Sequence, residues 1–234
     1  MVSAIASASY VKIPGTDAGL IAIEEVIFAG VPINVTLLFS SEQYLAAAEA
    51  CLGGIERRID AGLNPNIASV ASVFVSRWDS AVRGKVSDAL QNRLGIAIAG
   101  QTYKEYQRFI LPPRYKRVYN FDARPQRLPW ASTGITDPNA PDTLYVESLT
   151  VPFTVNSMPD ATLKAFAEHG KVPEEVRAKE NDFDQILDEF AHAGVDVDAL
   201  AAHLQEEGAE AFAKSWGELM DVIDSKSMAI AKVG

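Results

Sequence analysis

Lys12 is the residue of this chain whose type and setting offer covalent chemistry. It lies in Tyr10-Val11-Lys12-Ile13-Pro14, a short strand-like stretch with one charge among apolar neighbours. A lysine inside a buried strand must pair, snorkel to water or give up its proton, because an unpaired buried ammonium costs several kcal/mol. A lysine that gives up its proton near neutral pH can attack a carbonyl and form a Schiff base. At an ordinary pKa near 10.4 only about one lysine in a few thousand is neutral at pH 7, so that chemistry also needs a tuned amine and groups that move protons. Without such company, a strand lysine is an edge or snorkelling residue.

The elements that must position Lys12 follow it directly. Gly15-Thr16-Asp17 is a tight connection with a helix N-cap, and 18–29 has helical periodicity, with Leu20, Ala22, Ile23, Val26 and Ile27 along one side. Gly30 ends that helix, and Ile33-Asn34-Val35-Thr36-Leu37-Leu38-Phe39 is a second apolar strand. A strand–helix–strand unit of about thirty residues is the building block of parallel sheets. Ser40 or Ser41 caps a helix over 42–61 with Tyr44, Leu45, Ala48, Leu52 and Ile55 facing inward. After the Asn64-Pro65-Asn66 turn, 67–75 reads as a buried, β-branched strand ending in Ser76-Arg77-Trp78-Asp79. Residues 86–110 form a long helical pattern, and the basic, aromatic 112–124 reads as a solvated connection rather than a nucleic-acid patch.

Three runs then carry a resemblance: Val11-Lys12-Ile13-Pro14-Gly15-Thr16, Ala18-Gly19-Leu20 with Ala22-Ile23-Glu24, and Asn34-Val35-Thr36-Leu37-Leu38-Phe39-Ser40. Together, and in the spacing from Lys12 to Asn34 and Thr36, they resemble the transaldolase family. The resemblance implies that Lys12 closes the fourth strand of an eight-stranded barrel and forms the Schiff base with substrate. It places Asn34 and Thr36 at the end of the fifth strand, in the same site. Ser72-Val73-Phe74-Val75-Ser76-Arg77 resembles the sixth strand, which implies that Ser72 and Phe74 line the site and Arg77 contacts a sugar phosphate. A planar guanidinium fork just past a strand end suits that work; the plain alternative is a surface ion pair of Arg77 with Asp79.

The seventh strand of the family is matched around 125–132, with Ser132 near the phosphate and Trp130-Ala131 in the barrel wall. The eighth is placed at 142–151, followed by Pro152-Phe153-Thr154-Val155-Asn156-Ser157-Met158-Pro159, a segment leading into the last helices. Two departures stand out. Pro129 cannot donate to a strand ladder, and Gly134-Ile135-Thr136 lacks the basic residue that many relatives carry there.

Beyond this point the chain is helical. Phe183, Ile186, Leu187 and Phe190 share one stripe and Phe212, Trp216, Leu219, Met220 and Ile223 another, both expected to pack against the barrel. Gly194 separates them, with Asp196 or Asp198 as cap. The tail is similar to that of bifunctional transaldolase–glucose-6-phosphate isomerase proteins.

Composition bounds the rest. The chain has 234 residues, about half of them apolar (48%), a net charge of −10 and one cysteine, Cys51. The charge argues against nucleic acid and anionic membranes as partners, and a phosphorylated substrate must be drawn in by a local positive cluster. No apolar run approaches the roughly eighteen residues needed to span a membrane. Residues 1–9 lack the basic start of a signal peptide, and a lone cysteine suits a cytoplasmic protein.

The expected fold is α/β: an incomplete TIM (β/α)8-type barrel of about five βα units plus C-terminal helices. Residues 1–160 make the partial barrel, strands four to eight of the family, and 161–234 make helices packed on it in the same domain. Strands are expected around Lys12, Thr36, Ser72, Ala131 and Val146. The family's first three strands, which carry an aspartate, an asparagine and a glutamate of the site, have no counterpart before Tyr10.

The resemblance implies Schiff-base transfer of a dihydroxyacetone unit between sugar phosphates, a step of the pentose phosphate pathway, with no metal or organic cofactor. Lys12 is the nucleophile, Asn34, Thr36, Ser72 and Phe74 contact the sugar, and Arg77 and Ser132 hold its phosphate. Alternatives are a fructose-6-phosphate aldolase-like lyase and a non-catalytic fragment or half of a split barrel. The partners expected are sugar phosphates, and an N-terminal barrel segment or a glucose-6-phosphate isomerase domain.

Overall fold

A computed structural model describes residues 9–172 and 180–231. The leader reading of 1–9 therefore falls, apart from Ser9, outside the described residues. Strand β1 (Val11–Pro14) is followed by helix α1 (Asp17–Phe28), β2 (Ile33–Leu38), α2 (Ser41–Asp60), β3 (Ser69–Phe74) and α3 (Ser76–Val82). Then come α4 (Leu94–Ile110), α5 (Pro113–Tyr119), β4 (Leu128–Ala131), α6 (Leu144–Ser148) and β5 (Thr154–Asn156). Helices α7 (Asp160–His169), α8 (Glu180–His192) and α9 (Val197–Ala231) complete the order.

Among the described residues the five strands form one parallel sheet in sequence order, with β1 and β5 at its edges. Thr16 caps α1 through its side chain, and Ser40 does the same for α2. Gly30, at φ 87°, takes the left-handed turn that ends the first unit.

Alternation along the strands decides what lies where. Ile13, Ile33, Val35, Ala71, Val73, Leu128 and Trp130 point to the helix-covered face, in one core with Ile23 and Ile27 of α1, Tyr44, Cys51 and Ile55 of α2 and Tyr103 of α4. Lys12, Asn34, Thr36, Ser72 and Phe74 alternate to the opposite face. A second cluster gathers Leu37, Phe39, Trp78, Leu94, Ile98, Phe190 and Leu204. Leu37 reaches it because β2 shifts register between Val35 and Leu38 and Leu37 adopts φ 58°. That left-handed conformation costs a leucine roughly 1–2 kcal/mol, and full burial of the side chain offsets it.

Several expectations are corrected. Residues 142–151 do not form the last strand: Leu144–Ser148 is helical, and the fifth strand is Thr154–Asn156, in register with Leu128–Trp130. Tyr145, Val146 and Leu149 are buried at helical spacing, and the Trp130 indole donates to the Leu149 carbonyl at 3.0 Å, which holds this turn against the wall. The pattern over 86–110 is interrupted, with a short 3₁₀ turn at Asp88–Leu90 and Asn92 at φ 60° before α4 begins. Pro129 sits in an interior strand. Bonds from Ala71 to Arg127 (2.9 Å) and from Val75 to Ala131 (3.0 Å) join β3 to β4 on either side of it.

Asp79 is not a surface partner of Arg77. It is 1% exposed and caps α4, accepting from the Leu94 and Gly95 N–H groups at 3.0 and 3.3 Å and from the Tyr145 hydroxyl at 2.8 Å. Burial pushes its carboxyl from an ordinary 3.8 up to about 6, against the pull of those donors. A raised carboxyl means that the folded state holds the proton longer than the unfolded chain. The associated stability is therefore complete below about pH 4 and lost as the pH rises through about 6. Comparing wild type with Asp79→Asn by denaturant titration from pH 4 to 7 should show that slope only in wild type, with a span of about 3 kcal/mol. Parallel pH profiles would remove Asp79 as its source.

Candidate active site

Lys12 is exposed, contrary to the reading of a buried strand lysine, because β1 is an edge strand. It stands directly opposite Asn34 in the parallel ladder, and Pro14 stands opposite Thr36. Ser72 on β3 donates to Asn34 Oδ1 at 2.8 Å. That bond fixes the amide of Asn34 and leaves its two N–H groups as the donors available beside Lys12. Thr36 is 1% exposed, and its Oγ1 has no hydrogen-bond partner among the described residues. Lys12, Pro14 and Thr36 form one wall of a cleft of about 570 Å³, and Ala209, Phe212 and Trp216 of α9 form the other.

Helix α9 is placed across the strand ends by a few contacts. Asp196 caps its start, accepting from Ala199 N–H at 3.0 Å. Ala201 and Leu204 are buried in the second cluster. Gln205 donates through Nε2 to the carbonyls of Gly15 (3.0 Å) and Leu37 (2.9 Å), the chain just beyond β1 and the bulge of β2. Gly208 lies so close that a Cβ there would stand 2.7 Å from Leu37 and 3.4 Å from Arg77 Nη1. One turn on, the Phe212 ring centroid is 5.3 Å from Lys12 Nζ. Lys12 and Arg77 thus meet the same stripe of α9 one turn apart, about 5–6 Å along the helix.

This corrects the reading of the Phe212–Ile223 stripe as a packed face. Phe212, Trp216, Leu219, Met220 and Ile223 are 39–65% exposed. The Phe183–Phe190 stripe does pack, with Phe183 against Gly100 of α4 and Phe190 fully buried.

The other expected residues gather at the C-terminal ends of the strands. Phe74 ends β3, and the Arg77 guanidinium lies 5.2 Å from its ring centroid. Ser132 follows β4 at φ 55° and shares a 2.8 Å hydrogen bond with Ser76. One turn along α3, Ser80 and Thr136 pair at 3.0 Å, and Arg83 donates to Thr136 Oγ1 at 2.6 Å. A guanidinium from the residue just after α3 therefore stands at the stretch that lacked a basic residue of its own. Ser76, Ser80 and Arg83 share one helical face by spacing, a signal legible in the sequence and missed. Gln205 and Phe212 carried no comparable signal, since each belongs to an ordinary amphipathic stripe.

Gln205→Ala removes both latches without creating a core cavity, because the side chain is part-buried. It should cost about 1–3 kcal/mol and raise hydrogen–deuterium exchange over 205–220 while leaving α1 and α2 unchanged. Unaltered exchange in α9 would mean that the buried Ala201 and Leu204 alone hold the helix.

The family profile for transaldolase/fructose-6-phosphate aldolase matches residues 1–223. A transaldolase from Frankia alni is 41% identical over 223 residues, covering 92% of this chain and 60% of the relative. A transaldolase from Neisseria meningitidis serogroup A is 40% identical over 211 residues, covering 90% and 60%. One from Thermobifida fusca is 41% identical over 220 residues, again covering 90% and 60%. The chain thus spans about 60% of the length of these curated relatives. It belongs to the transaldolase/fructose-6-phosphate aldolase family.

Proposed function

We propose that this chain carries the Schiff-base part of a transaldolase site and acts in the transfer of a dihydroxyacetone unit from a ketose phosphate to an aldose phosphate. The observation that carries this reading is the Lys12–Asn34–Ser72 line: an amine on the open sheet face, in register with an amide whose orientation a buried hydroxyl fixes. Thr36 adds a buried hydroxyl that has no partner among the described residues in the same cleft, a group that a sugar hydroxyl would satisfy.

In this reading Lys12 attacks the ketose carbonyl. Asn34, Thr36 and Ser72 orient the hydroxyls of the substrate, and Phe74 lines the floor beside them. Arg77 holds the phosphate with Ser132, as charge-assisted guanidinium contacts to phosphate oxygens are strong and directional. The reaction as proposed uses no metal or organic cofactor. A protein with one buried cysteine and no helix long and apolar enough to cross a membrane among its described residues fits a cytoplasmic setting, which is part of the proposal.

The test, on the chain completed by an N-terminal barrel segment, is borohydride reduction in the presence of fructose 6-phosphate, followed by peptide mass spectrometry. A reduced three-carbon adduct should appear on Lys12 and vanish in Lys12→Ala. In Arg77→Ala, trapping should weaken about ten- to a hundredfold for the phosphorylated donor and little for dihydroxyacetone. An adduct surviving Lys12→Ala would assign the chemistry elsewhere, and equal losses on both donors would make Arg77 structural.

The architecture motivates a second element of the proposal. We infer that the five strands correspond to strands four to eight of a family barrel, resembling the bifunctional transaldolase–isomerase type, with 1–160 as barrel and 161–234 as helices of one domain. A preceding three-strand segment then completes the barrel. Edge strand β1 offers open ladder positions, and the exposed α9 stripe offers an apolar face beside it. The family's proton-transfer carboxylates belong to that segment, and such groups contribute about 10²–10⁴-fold. The chain alone should therefore self-associate and turn over slowly. Adding the matching N-terminal segment of a relative should restore a discrete species by size-exclusion chromatography and turnover in a coupled assay. A monomer with full turnover by itself would refute the completion.

A further inference from the structure

We propose that Phe212 is a positioning residue for Lys12, a ring on which the nitrogen rests as a cation both before and after it reacts. This inference rests on the reading of Lys12 as the Schiff-base nucleophile. Three observations carry it. The ring centroid lies 5.3 Å from Nζ, within the range of a cation–ring attraction. The ring belongs to the cleft wall facing Lys12, Pro14 and Thr36. It is 41% exposed although its helix is latched one and two turns earlier by Gly208 and Gln205, so it is held over the cleft rather than drawn into a core.

The chemistry explains why a ring belongs there. Overall, the lysine ammonium and a ketone give a protonated imine and one water: the nitrogen keeps one proton, two leave with the carbonyl oxygen, and the charge stays at +1. The covalent step itself passes through the neutral amine. Its lone pair forms the C–N bond while the C=O π pair moves to oxygen, and the protonated oxygen then leaves as water. A ring quadrupole favours the cation at both ends of this sequence. Its contribution is therefore to fix where the nitrogen sits and to hold the iminium in the cleft, where Asn34 and Thr36 face it. Lys12 is exposed on an edge strand, and among the described residues it is the α9 wall that faces it. An aliphatic side chain of similar size would fill the space without the attraction.

The experiment compares Phe212→Leu, Phe212→Ala and Phe212→Tyr in the full chain, with two readouts. The first needs no reaction: lysines are reductively methylated with ¹³C-formaldehyde, and the Lys12 signal is assigned through Lys12→Arg. Wild type and Phe212→Tyr should show an upfield ring-current shift that Phe212→Leu and Phe212→Ala lose. The second is the rate of borohydride trapping with dihydroxyacetone on unmethylated protein. It should fall severalfold in the Leu and Ala variants, because the nitrogen loses its place beside Asn34 and Thr36, and stay near wild type in Tyr.

A missing ring-current shift in wild type would overturn the seat whatever the trapping shows. A shift that is present, with trapping equal in all four proteins, would overturn the positioning role. Leu trapping as fast as Tyr would overturn the ring in favour of simple packing. No adduct on Lys12 in wild type, with the shift intact, would overturn the nucleophile assignment, and the positioning role with it.

Discussion

The register between β1 and β2 is the constraint on which the site depends. Lys12 faces Asn34, and Ile13 faces Val35. Because side chains alternate with a period of two, a slip of one residue would bury the ammonium under α1 and put Ile13 in the cleft. The buried partners enforce the register: Ile13, Ile33 and Val35 are all core residues, packed with Ile23, Ile27 and the α2 face. The face that carries Lys12 and Asn34 is thus specified by apolar residues on the opposite side of the sheet. The same core continues through Ala71 and Val73, so Ser72 is carried to Asn34 by the alternation that buries its two neighbours.

The second constraint is backbone hydrogen bonding at the strand ends. Carbonyls that emerge from a parallel sheet need donors, and a connection that turns sharply leaves some without one. Gly15 and Leu37 present two such carbonyls, and a single glutamine on α9 answers both. The left-handed turn at Leu37 then has two consequences: its side chain enters the cluster under α9, and its carbonyl meets Gln205. Helix α9 is thereby fixed over the cleft by contacts in its first turns, and over 212–228 it is exposed. A helix with an apolar stripe on solvent is costly unless something covers it, which ties the open β1 edge and the stripe into one uncovered surface.

The sequence was most legible where period and capping chemistry agree. The first strand–helix–strand unit has a clean side for α1, side-chain caps at Thr16 and Ser40, and a glycine where φ must be positive. Its boundaries match within a residue or two. The motif residues Lys12, Asn34, Thr36, Ser72, Phe74, Arg77 and Ser132 fall on the open sheet face or at its C-terminal end. Legibility failed where one pattern satisfies two structures. Leu144-Tyr145-Val146 is β-like in composition, yet Tyr145 and Leu149 a turn apart bury better as a helix against Trp130. Thr154-Val155-Asn156 is too short and polar to announce a strand, and it becomes one because β4 presents an open ladder. Lys12 looked buried because its neighbours are apolar, whereas edge position is a property of the sheet and not of any local stretch.

Charge gives the last connection. A net charge of −10 repels anions at long range, so any anion would have to be drawn in by positive groups within a Debye length of about 8–10 Å. Arg77 and Lys12 meet α9 one turn apart, and Arg83, just past α3, stands at Thr136. The nearest acidic side chains of α9, Glu206, Glu207 and Glu210, are exposed, and the cleft wall itself is made of Ala209, Phe212 and Trp216. Gly208 is what permits this arrangement. A side chain there would collide with Leu37 and crowd Arg77, lifting the helix and with it the ring over Lys12. The spacing between the Arg77 guanidinium and the Lys12 ammonium along α9 is therefore set by one residue without a side chain, which couples the placement of the two cations.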